Sequence, residues 1–181
     1  EPILFIRSLI QTNPQAMASS IQAILNILMP KLAAEQVHTK NYWPTIMSII
    51  STIFTLLQSP LNSNGTMDLN QYLPLILPKL PVKQYVNDAE FICGSIINLI
   101  RTHLAQITPY IPEIIRIFVQ TLALSKGQFE QLRLSPETIE SMAESIRHVL
   151  RTNGELEGQI PVWLENDPVK LQYFKARMQS E

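Results

Sequence analysis

Tyr72-Leu73-Pro74 and Tyr110-Ile111-Pro112 each begin an apolar run, and Tyr42-Trp43-Pro44 gives the same tyrosine–apolar–proline phrase once more. Proline is tolerated in the first turn of a helix, because the N–H that it lacks has no hydrogen-bond partner there. Each copy therefore predicts a helix start. A second pair of segments, Leu28-Met29-Pro30-Lys31-Leu32 and Ile76-Leu77-Pro78-Lys79-Leu80, is also similar. The offsets of roughly 30 to 48 residues match the periods of repeated helical hairpins.

Apolar residues at helical spacing predict about eight helices and no strand. The predicted helices cover residues 3–11, 14–32, 44–57, 69–80, 86–104, 109–124 and 136–152, with a terminal helix from 168. Asn13, Asp68, Ser135 and Asp167 are suitable N-caps for four of them, and Gly127 is expected near the end of the helix that begins at about Pro109. When these helices are paired into hairpins, the copy at Tyr42 precedes the second helix of a hairpin, whereas the copies at Tyr72 and Tyr110 precede first helices. The repeat is therefore inferred from the last two copies. The sequence predicts an all-α chain, an α-solenoid (α-α superhelix) of stacked hairpins.

Composition indicates a chain that buries a core. Of its 181 residues 46% are hydrophobic and 16% charged, unlike a disordered segment. The chain has a formal charge of −1 and so lacks the net positive charge with which nucleic-acid binders attract phosphates. No nucleic acid is therefore expected as a partner. The apolar stretches, such as 46–57, fall short of the roughly 20 residues that cross a bilayer, so no membrane segment is expected. The absence of an initiator Met and of a basic leader predicts a fragment of a longer chain.

Catalytic and metal-binding patterns are weak in this sequence. Cys93 is the single cysteine and lies on an apolar helical stripe, where we expect it to be an inert core residue. A single cysteine also favours a reducing compartment, the cytoplasm or the nucleus. His38, His103 and His148 occur singly, without the companions of a zinc site. We therefore expect no enzyme activity, no metal and no cofactor.

A local excess of acidic residues is the feature with functional weight. Residues 128–167 contain eight acids and three arginines. Glu137, Glu140 and Glu144 have the spacing i, i+3 and i+7, which places three carboxylates along one line of a helix. We call this line the glutamate stripe. It could attract basic protein segments or be an ordinary solvated helix face. Asp88 and Asn98, on the polar face of the helix 86–104, are further candidate protein-binding residues.

Several of these segments resemble HEAT repeats of the importin-beta (karyopherin-beta) nuclear transport receptors. The resemblance begins at Leu73-Pro74-Leu75-Ile76-Leu77-Pro78-Lys79-Leu80-Pro81 and Asn87-Asp88-Ala89-Glu90. It continues at Ile111-Pro112-Glu113-Ile114-Ile115-Arg116-Ile117-Phe118 and Ile146-Arg147-His148-Val149-Leu150. Residues 68–181 look like the carboxy-terminal end of the importin beta-3 branch, with a terminal capping helix. Residues 1–67 match only as generic HEAT-like helices.

The resemblance implies a single array of about three and a half HEAT-like repeats over 1–181. It also implies binding of cargo proteins with basic signals and release by Ran-GTP, whose main contacts lie in amino-terminal repeats absent from this sequence. Nucleoporins are further implied partners, and the implied location is the cytoplasm and the nucleus. Two alternatives remain open from the residues themselves. The chain could be a HEAT-repeat scaffold in a stable complex, or the helical appendage of a large lipid-kinase-type enzyme.

Overall fold

The computed structural model describes residues 2–34, 43–62, 67–82 and 88–179. Within these ranges every regular element is helical and no strand occurs. The predicted all-α fold is confirmed. The α-helices are α1 (Pro2–Thr12), α2 (Pro14–Met17), α3 (Ile21–Ala33), α4 (Trp43–Gln58), α5 (Leu69–Ile76), α6 (Ala89–Thr102), α7 (Leu104–Ile107), α8 (Ile111–Leu122), α9 (Lys126–Gln131), α10 (Pro136–Thr152), α11 (Ile160–Trp163) and α12 (Pro168–Met178).

Polar side chains cap four helix starts, as the sequence predicts. Asn13 accepts a hydrogen bond from the N–H of Ala16, and Asp68 accepts one from Asn70. Ser135 accepts from the N–H of Thr138 at 3.1 Å. Asp167 accepts from the N–H groups of Val169 and Lys170. Each cap satisfies a backbone donor that a helix start leaves unpaired, so the residues before α2, α5, α10 and α12 fix where these helices begin.

The chain forms two compact units, Glu1–Pro78 and Lys79–Glu181. In the first unit α4 packs against both α1 and α3, and α3 also contacts α5. The α4 helix is the centre of this core, because eleven of its sixteen residues are buried. Whether the two units continue one array of repeats stays a prediction.

The second unit has its core among α6, α8, α10 and α12. The α10 helix packs against both α6 and α8, and α8 also contacts α11 and α12. Phe118, Ile114, Ile115 and Met142 have no exposed surface. The predicted terminal helix buries Phe174, whereas Leu171 and Met178 are only half-buried.

Two helix ends differ from the sequence prediction, and the helix start expected at Tyr72-Leu73-Pro74 was wrong, because helix α5 begins at Leu69 and contains Pro74. Helix α5 ends at Ile76, and a 3-10 turn, Leu77–Lys79, follows it. Pro78 lacks a backbone N–H for the α-helical bond. Helix α8 ends at Leu122, and Gly127 lies inside α9, so its assignment to the end of α8 was wrong. The predicted start at Val86 lies outside the described residues, and helix α6 is described from Ala89.

One helical stretch, Pro14–Ala33, has the length and apolar composition that could cross a membrane. The prediction that every apolar stretch is too short was therefore wrong for this one. A core helix or a leader sequence can have the same length and composition, so the indication is weak. Here a 3-10 turn at Ala18–Ser20 interrupts the stretch. Its buried side chains are Ile24, Leu25, Leu28 and Leu32.

Candidate functional site

A cluster around Glu90 fixes the start of α10, the helix that carries the glutamate stripe. One carboxylate oxygen of Glu90 accepts hydrogen bonds from the hydroxyls of Ser135 at 2.8 Å and Thr138 at 2.7 Å. The other oxygen accepts one from the N–H of Ser135 at 2.9 Å. Because Glu90 belongs to α6, these bonds join α6 to the N-terminus of α10. We call this cluster the Glu90 clamp.

The charge state of the Glu90 clamp follows from its contacts. Burial by itself raises the pKa of the Glu90 carboxyl, but the hydrogen bonds from the N–H of Ser135 and from the hydroxyls of Thr138 and Ser135 outweigh it. The pKa of Glu90 is therefore below its usual value. A negative charge beside the first turn of a helix is also favoured by the helix dipole.

The glutamate stripe runs along the surface of α10, but its three carboxylates are not equivalent. Glu137 and Glu144 are exposed. Glu140 is half-covered and forms an ion pair with Arg147, which follows it by seven residues on the same helix. Arg147 also donates to the backbone carbonyl of Met178 at 3.2 Å. The stripe therefore offers two open carboxylates, and the third already has an internal partner.

The two candidate residues on the α6 segment lie in different surroundings. Asp88 is the residue before the first turn of α6 and is only 9% exposed, so it is not on the open surface with Asn98. Asn98 is exposed near the other end of the helix, about 15 Å away along the axis. Arg101, which follows Asn98 by three residues, donates to the hydroxyl of Ser141 on α10 at 3.1 Å.

A second feature near α10 is a groove that sequence reasoning did not find. It has a volume of about 930 Å³. Its lining is formed by Phe129, Pro136, Ile139, Glu140, Arg147, Arg177, Met178 and Gln179. We call it the Arg177 groove. The Glu140–Arg147 pair lies at the boundary between the groove and the glutamate stripe, so one side of α10 carries both surfaces.

The described residues contain no cluster of three or more His, Cys, Asp or Glu that could hold a metal ion. Cys93 is a free thiol, 5% exposed, on the buried side of α6. Burial, with a smaller contribution from the nearby Glu90 charge, raises the pKa of this thiol to about 12. A thiol with this pKa stays protonated at neutral pH and is a poor nucleophile.

Comparison with known proteins gave no match to a family model, to a curated protein or to a solved structure.

Proposed function

We propose that this chain is a protein-binding segment of an α-solenoid built from HEAT-type hairpins, the carboxy-terminal part of a nuclear import receptor of the importin-beta type. Its role is recognition of cargo proteins and not catalysis. The observation that carries the proposal is the order in which helices contact one another. The resemblance of residues 68–181 to the importin beta-3 branch adds the receptor class.

Stacked helical hairpins produce a characteristic contact order. Each long helix packs against the next one in the chain and against the next but one, because hairpins contact only their neighbours. In the first unit α3 contacts both α4 and α5, and α1 contacts α4 across the α2–α3 segment. In the second unit α10 contacts α8 and α6, and α8 contacts α12. The contacts between long helices two places apart, α1–α4 and α3–α5 in the first unit and α6–α10 and α8–α12 in the second, fit this order and support the repeat proposal.

The glutamate stripe is the part of this surface that suits a basic cargo segment. Glu137 and Glu144 are open to a partner's Lys or Arg side chain. Exposed ion pairs each contribute about 0–1 kcal/mol, so the stripe supplies steering and modest affinity. In the receptor, release of cargo by Ran-GTP depends on amino-terminal repeats that precede this segment. The proposed location is the cytoplasm and the nucleus, with nucleoporins as further partners.

A titration with a Lys/Arg-rich signal peptide tests the stripe. The variant is the triple substitution Glu137→Gln, Glu140→Gln, Glu144→Gln. The matched control is Glu130→Gln, Glu155→Gln, Glu157→Gln, which removes the same charge from three other exposed acids of the same unit. We expect weaker binding for the stripe variant alone, and a smaller difference at moderate salt. Equal affinity of the two triple variants would make the stripe an ordinary solvated face.

The receptor class requires a separate experiment on the longer parent chain. We expect the purified parent to be monodisperse without a partner and to release bound cargo when Ran-GTP is added. A fixed stoichiometric partner that remains bound in Ran-GTP would instead identify a structural scaffold. This result does not depend on which repeats hold the cargo.

A further inference from the structure

Arg177, on the terminal helix α12, is held in place by backbone and aromatic contacts. Its Nη1 donates to the carbonyl oxygens of Leu122 and Leu124, at the end of α8. The guanidinium carbon lies 3.9 Å from the centre of the Phe129 ring and 5.5 Å from the centre of the Tyr173 ring. A guanidinium stacked on an aromatic ring and bonded to two carbonyls has little freedom to reorient.

These contacts use only part of the hydrogen-bonding capacity of Arg177. An arginine has five N–H donors, and the two on Nη1 are the ones directed at α8. Within the described part of the chain, Nε and Nη2 of Arg177 make no hydrogen bond, and no carboxylate forms an ion pair with this side chain. Nε and Nη2 form the edge of the guanidinium that binds a carboxylate through two parallel bonds.

Because the Arg177 guanidinium is half-buried, a negative charge beside it would stabilise it more than it would stabilise a hydrated cation. Arg177 is half-buried, and the loss of hydration lowers the pKa of its guanidinium, with Tyr173 acting in the opposite direction. The group stays charged at neutral pH, since an arginine pKa lies far above 7. A cation that is half-buried without an anion gains more from a carboxylate than a fully hydrated surface cation does.

The Arg177 groove combines this cation with an apolar wall. Phe129, Pro136, Ile139 and Met178 supply apolar lining. The other charges that line the groove are Arg147 and Glu140, which pair with each other. The lining therefore has two positive groups and one negative group. Arg177 itself belongs to α12, outside the acidic stretch 128–167 that supplies the other charged lining residues.

We propose that the Arg177 groove docks an acidic–apolar peptide segment of a partner protein. A Glu or Asp carboxylate of the peptide accepts hydrogen bonds from Nε and Nη2 of Arg177, and a neighbouring aliphatic side chain packs on Ile139 and Met178. Charge complementarity selects this occupant, because a basic segment would be repelled by Arg177 and would have to displace Arg147 from Glu140. The surface shares Glu140 with the glutamate stripe, and the proposal does not depend on the receptor assignment.

The probe is a fluorescein-labelled peptide of twelve residues that carries two Leu-Glu pairs in a Gly/Ser background. Two control peptides replace both Glu residues by Gln or by Lys. Fluorescence anisotropy at low and moderate salt measures their affinities. We expect the Gln peptide to bind about tenfold more weakly, since it loses hydrogen bonds assisted by charge. The Lys peptide should bind more weakly still. Equal affinity of all three peptides would overturn the proposal.

Substitutions locate the binding to the groove. Arg177→Lys keeps the charge and removes the two-donor edge, and Ile139→Ser weakens the apolar wall. Arg151→Lys is the matched control, because Arg151 is an exposed arginine of α10 that does not line the groove. We expect the first two variants to lose affinity severalfold and the third to bind like the wild type. An Arg177→Lys variant that folds and binds the Glu peptide as tightly as the wild type would refute the proposed contact.

Because Arg177 also joins α12 to α8, one readout avoids substitution. The side-chain ¹Hε–¹⁵Nε NMR resonance of Arg177 in the wild type should shift when the Glu peptide is added and stay in place with the Lys peptide. A resonance that does not shift when the Glu peptide is added would overturn the proposal. A resonance that shifts only with increasing protein concentration would also overturn it, because the occupant would then be a second copy of the chain.

Discussion

Removal of the Glu90 carboxylate is the sharpest test of how α10 is held. In Glu90→Ala the hydroxyls of Ser135 and Thr138 and the N–H of Ser135 all lose their acceptor. Each of these donors lies 2.7 to 2.9 Å from a carboxylate oxygen in the intact clamp. The bond from the N–H of Thr138 to Ser135 remains, so α10 keeps a local N-cap.

The hydrogen bonds of the clamp limit how much stability Glu90→Ala can remove. A hydrogen bond to a charged group contributes about 1.5–3 kcal/mol to stability. The three bonds share one carboxylate that is partly exposed, and the hydroxyls can turn to water after the substitution, so the separate values do not add. We expect Glu90→Ala to lower the free energy of unfolding of the second unit by about 2–3 kcal/mol. Glu90→Gln keeps one oxygen acceptor and should cost about 1 kcal/mol.

The sign of the pH dependence follows from the lowered pKa of Glu90. A carboxyl whose pKa is lower in the folded state binds its proton more tightly in the unfolded state, so it stabilises the fold above its unfolded pKa. That unfolded value is about 4.3. The difference in stability between the wild type and Glu90→Gln should therefore be full at neutral pH. It should shrink as the pH falls through about 4 and below.

The assay is urea unfolding followed by tryptophan fluorescence. The chain has two tryptophans, Trp43 and Trp163, and a Trp43→Phe background leaves Trp163 as the reporter of the second unit. Glu137→Gln is the matched control, because Glu137 lies in the first turn of α10, is exposed, and should cost only about 0.3–1 kcal/mol through the helix dipole. Equal losses for Glu90→Ala and Glu137→Gln would refute a structural clamp.

Two further predictions concern buried groups of the second unit. The Cys93 thiol, with a pKa of about 12, should not react with a disulfide reagent at pH 8 in the native protein. In urea its reaction rate should rise to that of a free thiol. Fast labelling of the native protein would contradict the burial of Cys93. Phe174→Ala should lower the free energy of unfolding by about 3 kcal/mol, whereas Val169→Ala, at an exposed position of the same helix, should change it by less than about 0.5 kcal/mol. Similar melting temperatures for both variants would exclude a capping role for α12.

The helix starts could be predicted because their chemistry is local. Asn13, Asp68, Ser135 and Asp167 each bond a backbone N–H two or three residues further along, and three of the four stand directly before a proline. A pattern contained in four neighbouring residues is visible without knowledge of the tertiary structure. The apolar stripes of the long helices are equally local, which is why the all-α class could be predicted.

The helix ends were predicted less well because tertiary contacts help to decide them. Gly127 resembles a helix terminator, yet it continues the short helix α9. The end of α8 is instead supplied with donors by Arg177, whose side chain reaches the carbonyl oxygens of Leu122 and Leu124 from more than fifty residues away. No spacing rule within one helix points to such a partner.

The same limit applies to the candidate site. The glutamate stripe could be predicted from the spacing of Glu137, Glu140 and Glu144 along one helix. The Glu90 clamp joins residues 45 and 48 positions apart, and the Arg177 groove gathers residues from α9, α10 and α12. A single sequence without an alignment contains no pairing information over such separations, so both features required the folded structure.

Arg147 connects the two surfaces of α10 in a way that the sequence pattern alone does not describe. By pairing with Glu140 it removes one carboxylate from the glutamate stripe, and by the same contact it supplies the Arg177 groove with a cation that is already neutralised. Arg177 is left as the groove cation that forms no ion pair within the described residues. Glu137 and Glu144 are left as the open anions of the stripe. The ion pair thus belongs to both surfaces, and peptides of opposite charge should bind at different places, acidic ones at Arg177 on α12 and basic ones at Glu137 and Glu144 on α10.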